Sequence, residues 1–171
     1  MLVLALLAVA RGEQCGGHLT ADRGLIATPG FPGPFQVPIR CLWLVSSASP
    51  TASVAVHLSQ LYVSAGLTFT EYAYYEPASS FQLEPRVVHR VTEENLPNTS
   101  LVVTSRPFLV VEFSLDRLEG NHLRALDGLL DVYGFNITYS IQTDASHLPD
   151  FSCTAAKCSM LGNCYATADY S

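Results

Sequence analysis

Positive charge is scarce in this sequence: its 171 residues include nine Lys and Arg against 15 Asp and Glu, a net charge of -6. Binding to a phosphate backbone draws on clustered cations, so the composition argues against a nucleic-acid partner. Helical periodicity is nearly absent. Leucines fall partly at helical spacing only over 118–130, at Leu118, Leu123, Leu126 and Leu130, and Gly120 and Gly128 interrupt that stretch. Catalytic signatures are missing too. Five histidines, His18, His57, His89, His122 and His147, are scattered without a His-Glu-x-x-His spacing, and neither a Gly-x-Ser-x-Gly elbow nor a phosphate-binding glycine loop occurs. The paired acids are Glu93-Glu94 and Asp127 with Asp131; Asp127-Gly128 reads as a turn and Asp131 as a strand-edge charge. The chain reads as non-enzymatic.

Long apolar runs are lacking as well, since a membrane-spanning helix needs about 20 residues. The run at 1–10, MLVLALLAVA, is too short, and it reads as the apolar core of a secretory signal. Small residues at Ala10 and Gly12 suit cleavage before Glu13, giving a signal peptide at 1–12; a buried N-terminal strand or helix is the alternative. Two N-glycosylation acceptor triplets, Asn98-Thr99-Ser100 and Asn136-Ile137-Thr138, add to an extracellular reading, as do clustered cysteines. The expected location is secreted or on the outer side of the plasma membrane.

What is abundant is short apolar runs rich in Val, Thr, Tyr and Phe, separated by Pro, Gly, Ser and Asn. Leu42-Trp43-Leu44-Val45, Val54-Ala55-Val56-His57-Leu58, Leu101-Val102-Val103, Phe108-Leu109-Val110-Val111-Glu112-Phe113 and Phe135-Asn136-Ile137-Thr138-Tyr139 read as strands. Many short strands about ten residues apart predict an all-β antiparallel sandwich or jelly roll. Pro29, Pro32, Pro34 and Pro38 make the intervening segment a fixed loop between strands near Leu25 and Cys41. The polar stretch TDASHLPDF separates the last strand from three close cysteines. The domain boundaries expected are 13–143 for the sandwich, 144–152 for a linker and 153–171 for a small C-terminal unit.

Cysteine is absent between Cys41 and Cys153. In an oxidising compartment Cys15 and Cys41 most simply pair with each other, and a zinc site would need further ligands that no nearby C-x-x-C or spaced His supplies. The last three follow Cys153-x4-Cys158-x5-Cys164, a spacing that resembles the first half of an EGF-like module. That resemblance implies a Cys153–Cys164 bridge and leaves Cys158 unpaired. It also implies the N-terminal piece, or a short isoform, of a longer mosaic protein; a free or intermolecular Cys158 in a complete small protein is the alternative.

The opening CGGHLTADRGLIATPGFP, followed by Cys41-Leu42-Trp43-Leu44 and closed by Gly134-Phe135, resembles a CUB domain over about Cys15 to Ile141. The resemblance implies a jelly-roll sandwich of two antiparallel sheets. Many members carry a second disulfide, absent here because Leu67 stands where its first cysteine would be. Many also bind calcium through three acids. Here Tyr75-Glu76-Pro77 replaces a Tyr-Asp-Gly element, Thr70 occupies the second acidic position, and only Asp116 falls where the third would be. Calcium wants six to eight oxygens with several carboxylates. The expectation is no cofactor or metal, with Glu71 and Glu76 as the acids that a different calcium geometry would use.

A CUB module followed by an EGF-like one, with GFNITYSI leading into the cysteines, resembles the layout of the attractin family of multi-EGF cell-surface proteins. The function this implies is extracellular protein recognition in adhesion or receptor signalling. Alternatives are an accessory CUB domain of a secreted protease and a stand-alone secreted CUB protein binding glycan or lipid. If Phe69 to Tyr75 formed one strand, Tyr72 and Tyr74 would face solvent or a partner. Tyrosine suits interfaces because it joins apolar area to a polar tip. Tyr72, Tyr74, Glu71 and Glu76 are the expected partner contacts; an edge strand packed under a long insertion is the structural alternative.

Overall fold

The computed structural model describes residues 15–79, 81–118, 122–125 and 130–143. The signal peptide at 1–12, the linker at 144–152 and the C-terminal unit with Cys153, Cys158 and Cys164 lie outside the described residues, as does Asp127-Gly128.

Thirteen strands form among the described residues: β1 (Gly17–Leu19), β2 (Arg23–Ala27), β3 (Ile39–Ser46), β4 (Ser53–His57), β5 (Leu61–Tyr62), β6 (Leu67–Tyr72), β7 (Tyr74–Glu76), β8 (Phe81–Leu83), β9 (Arg86–Arg90), β10 (Leu101–Val103), β11 (Phe108–Leu115), β12 (His122–Ala125) and β13 (Leu130–Gln142). One sheet runs in the order β1-β3-β11-β6-β9, antiparallel except for the parallel β1–β3 pair. The second runs β10-β4-β13-β12, with β2 and β5 also paired to β13, and β7 with β8 makes a separate hairpin. No helix among the described residues is long and apolar enough to cross a membrane.

Alternation along β11 shows why the sandwich forms. Leu109, Val111, Phe113 and Leu115 point inward and are buried, while Glu112 between them is exposed. Side chains two residues apart share a sheet face, so this pattern fixes the face that meets the other sheet. Leu67 and Phe69 on β6, Val45 on β3, Val54 on β4 and Ile137 on β13 join the same core, all fully buried. Each such side chain contributes about 1.5–3 kcal/mol on removal from water. Trp43 and Phe113 both meet Phe135 edge-on, at 5.9 and 5.2 Å between ring centroids.

Cys15 is disulfide-bonded to Cys41, which ties the chain ahead of β1 to the start of β3. Closing a loop of 26 residues contributes roughly 3 to 4 kcal/mol in the chain-entropy account. The prolines between β2 and β3 form irregular turns, with cis bonds at Phe31-Pro32 and Val37-Pro38. Gly134 sits at φ 79°, where a Cβ would meet the Thr28 side chain. Thr28 is fixed there by exchanging bonds with Phe135: its backbone N–H donates to the Phe135 carbonyl at 3.0 Å, and its Oγ1 accepts from the Phe135 N–H at 3.2 Å.

The all-β expectation holds where leucines fell partly at helical spacing: among the described residues of 118–130, His122–Ala125 is strand β12 and β13 begins at Leu130. Pairing of β12 with Leu130 to Tyr133 satisfies the backbone in place of helical bonds, and tertiary pairing overrides a weak periodic signal. One expectation is corrected. The stretch from Phe69 to Tyr75 is not one strand. It breaks at Ala73, so Tyr72 ends β6 and Tyr74 begins the hairpin. Nor is β6 an edge strand, since it lies between β11 and β9.

Candidate interaction face

Five of the six large exposed apolar side chains among the described residues belong to the five-stranded sheet and the β7–β8 hairpin. Register places Leu44, Val110, Thr70 and Val87 in one row across β3, β11, β6 and β9. Leu44, Val110 and Tyr72 are buried there although they point away from the core, because Tyr75 and Phe108 pack over them. Tyr75 meets Tyr72 edge-on at 5.2 Å. The hairpin thus folds back on the sheet, with Tyr75 underneath.

Its other face is open. Tyr74, Glu76, Phe81 and Leu83 share that side, because Tyr74 pairs with Leu83 and Glu76 with Phe81. Tyr74 rests on Phe108 at 5.5 Å and beside Phe81 at 6.3 Å. Phe81 and Val87 are 53% exposed, Leu83 46%, Leu42 44% and Tyr74 41%. These five are the large exposed apolar side chains of this sheet and its hairpin; the sixth on the described surface is Leu25 on β2 of the other sheet. In the neighbouring row Leu42 is followed by Glu112, Thr68 and Arg90, and Glu112 and Arg90 are exposed. The Tyr74 hydroxyl donates to Glu76 Oε2 at 3.0 Å, and that bond with the carboxylate charge raises the phenol above its ordinary pKa of 10.0. Burial, then Tyr75 and Glu112, push the Tyr72 phenol up as well.

Behind the hairpin lies a buried carboxylate. Glu71 follows Leu67 and Phe69 at period two, so it points inward, and its side chain is fully buried. Arg86 Nε donates to Glu71 Oε1 at 2.7 Å, and Arg86 Nη2 stands 2.7 Å from the same oxygen. The Ser105 backbone N–H donates to Glu71 Oε2 at 2.7 Å, and Arg86 Nη2 donates to Ser105 Oγ at 2.9 Å. Arg106 approaches Glu71 Oε1 at 3.5 Å and donates to both the carboxylate and the backbone carbonyl of Glu84. This network ties β6, β9 and the β10–β11 connection together at the base of the hairpin.

The four contact residues expected from sequence therefore separate. Tyr74 is on the open face and Glu76 is half-buried beside it. Tyr72 is buried as a support for Tyr75 and Phe108. Glu71 is internal, which removes it from a contact set; the alternation Leu67, Phe69, Glu71 carried that signal. Phe81, Leu83 and Val87 were missed because an exposed Phe or Val on an edge reads like any other strand residue. Glu71 is occupied by arginines, Glu76 accepts from Tyr74, and Asp116 lies exposed at the end of β11, so these acids are not gathered into a calcium cage. Among the described residues no group of three or more His, Cys, Asp or Glu could hold a metal ion. His18 Nε2 lies 2.7 Å from Ser46 Oγ, pinning β1 to β3, and no acid among the described residues bonds that imidazole. Asn98 is exposed in the turn between β9 and β10, and Asn136 is half-buried within β13.

The sandwich is a CUB fold. It superposes on the CUB1-EGF-CUB2 domains of rat MASP-1 with a TM-score of 0.50 at 14% identity, over 74% of this chain and 42% of that one. The CUB1-EGF-CUB2 domain of human MASP-1/3 gives a TM-score of 0.51 at 14% identity, over 75% and 43%. At that identity the likeness concerns the fold alone. In sequence, 48 residues are 42% identical to pig (Sus scrofa) cubilin and 40% identical to dog (Canis lupus familiaris) cubilin. That segment is 28% of this chain and 1% of either cubilin, and the chain spans less than half of the two solved structures. No protein-family model matches the chain.

Proposed function

We propose that this chain is an extracellular, non-catalytic protein-recognition module that binds a protein partner through the outward face of its five-stranded sheet and the β7–β8 hairpin. In this reading residues 1–12 are a secretory signal, 144–152 a linker and 153–171 the start of an EGF-like module in a secreted or cell-surface mosaic protein. Adhesion or receptor-type recognition is its role. The observation that carries the reading is that Leu42, Tyr74, Phe81, Leu83 and Val87, five of the six large exposed apolar side chains of the described residues, fall on this sheet and its hairpin, beside the packed cluster of Leu44, Tyr72, Val110, Tyr75 and Phe108. Contiguous exposed apolar area rimmed by polar groups marks interaction sites. Aromatic residues anchored by packing carry most of the binding energy there. The CUB fold and the cubilin-like segment support the class of function.

The test is binding of the multimerised, secreted chain to intact cells, comparing wild type with Phe81→Ala, Tyr74→Ala and Leu25→Ala. Phe81→Ala and Tyr74→Ala are expected to weaken binding about tenfold or more, the scale of a truncated anchor. Leu25→Ala, equally exposed on the other sheet, is expected to leave it unchanged. Proteolysis of the cell surface should abolish the signal. Equal binding by all three variants would move the site elsewhere, and binding that survives proteolysis would remove the protein partner.

A further inference from the structure

The two glycosylation acceptor triplets have opposite surroundings in the fold. Asn98 lies in the turn between β9 and β10 and is exposed. Its backbone is anchored by bonds to Asn95: the Asn98 N–H donates to the Asn95 carbonyl at 3.0 Å, and the next residue's Thr99 Oγ1 donates to the same carbonyl at 3.1 Å. The Asn98 side chain engages no partner among the described residues. Its amide faces water on a turn that is itself held in place.

Asn136 stands in the middle of β13, opposite Ala27 of β2. Its backbone N–H donates to the Gln60 carbonyl at 2.8 Å, and its Nδ2 donates to Gln60 Oε1 at 3.0 Å. Gln60 is only 6% exposed, and Asn136 Oδ1 is buried. Thr138, the hydroxyl residue of this triplet, is fully buried. An N-glycan is bulky and hydrated, and it needs open solvent at Nδ2. At Asn136 it would have to displace Gln60 from a strand that also pairs with β2 and β4.

Building on the extracellular reading, we infer that the folded protein carries its N-linked glycan at Asn98 and leaves Asn136 bare. The donor is a lipid-pyrophosphate-linked oligosaccharide. Asn98 Nδ2 forms a bond to the sugar C1 as the C1–oxygen bond to the pyrophosphate breaks; the lipid pyrophosphate leaves with that electron pair, and one Nδ2 proton passes to a base of the transferase. Chains modified at Asn136 before folding would fail to seat β13 and would be lost from the secreted pool. Selection between the two triplets, one ending in Ser100 and the other in Thr138, is thus made by burial.

The full chain, secreted from a eukaryotic cell, is deglycosylated enzymatically in heavy-oxygen water, which converts each glycosylated asparagine into a labelled aspartate, and then mapped by mass spectrometry. Label at Asn98 alone is expected. Asn98→Gln should remove the whole glycan mass step, and Asn136→Gln should leave it intact. Label at Asn136 in the secreted folded fraction, or an unmodified Asn98 there, would overturn the inference. If the chain is not secreted on its own leader, the extracellular reading fails. The glycan assignment is then read from the same full chain carried into the secretory pathway behind a grafted leader, taking the protease-resistant folded fraction, with the same two outcomes deciding it.

Discussion

Glu71 shows how one residue couples core and surface. A buried carboxylate is tolerable only when paired and hydrogen-bonded, and here Arg86 together with the N–H and hydroxyl of Ser105 meets that condition. The arrangement is asymmetric. Arg86 keeps 58% of its side chain exposed while Glu71 keeps none, so water can rescue the arginine but not the acid. Glu71→Gln removes the charge and retains an acceptor for Ser105, with an expected loss of about 1–2 kcal/mol. Arg86→Met leaves a buried, under-compensated carboxylate, with an expected loss of about 3 kcal/mol or more. Urea unfolding of the two variants checks this order, and an Arg86→Met variant as stable as Glu71→Gln would contradict it. The inward direction of Glu71 was legible from the period-two run Leu67, Phe69, Glu71. Its partners were not, because Arg86 and Ser105 lie 15 and 34 residues away and nothing local ties them to it.

Among the elements, β13 does the most joining: its 13 residues pair in succession with β12, β5, β2 and β4. The strand can pass from one set of partners to the next because Gly134 takes φ 79° beside Thr28. Any L side chain there meets the Thr28 hydroxyl, and the left-handed region alone costs a non-glycine about 1–2 kcal/mol. Gly134→Ala is expected to lower stability by about 2–4 kcal/mol, read as a fall in the urea midpoint at unchanged slope; a change below about 0.5 kcal/mol, the scale of an ordinary surface substitution, would show that the position is not constrained. This element also marks how far the sequence could be read. The string from Phe135 to Tyr139 was recognisable as a strand by its β-branched and aromatic residues, and Gly134-Phe135 by its resemblance to a closing CUB motif. The same holds for β3, β4, β10 and β11. The whole of β12 and its pairing with the start of β13 were not legible, since short apolar runs with leucines at mixed spacing do not identify their own period. The hairpin was hidden too. Tyr72 to Tyr75 alternates acceptably as one strand, and the break at Ala73 follows from Tyr75 closing over Tyr72, a contact that no spacing rule reveals.

At the scale of the whole molecule, pH acts through two histidines that the fold shelters. His57 on β4 is 2% exposed, and both its ring nitrogens are buried without a hydrogen-bond partner among the described residues. His89 on β9, beside Phe69, has a buried Nε2 in the same condition. Burial lowers the pKa of each below its ordinary value of 6.5. The native state therefore holds both rings neutral at a pH where the unfolded chain would already protonate them. Where the unfolded state binds more protons, stability rises with pH. The contribution of neutral His57 and His89 is fully present above about 6.5 and is lost as pH falls from there through their lowered native values. Carboxylates with ordinary pKa values near 4 stay ionised down to about pH 5, so between pH 7.5 and 5 the histidines dominate the change. Urea midpoints measured across that range should fall steadily below pH 6.5. His57→Leu, which keeps the apolar volume and removes the titrating ring, should flatten the fall. A midpoint that holds constant from pH 7.5 to 5, or a wild-type slope retained in His57→Leu, would show that the acid response has another source.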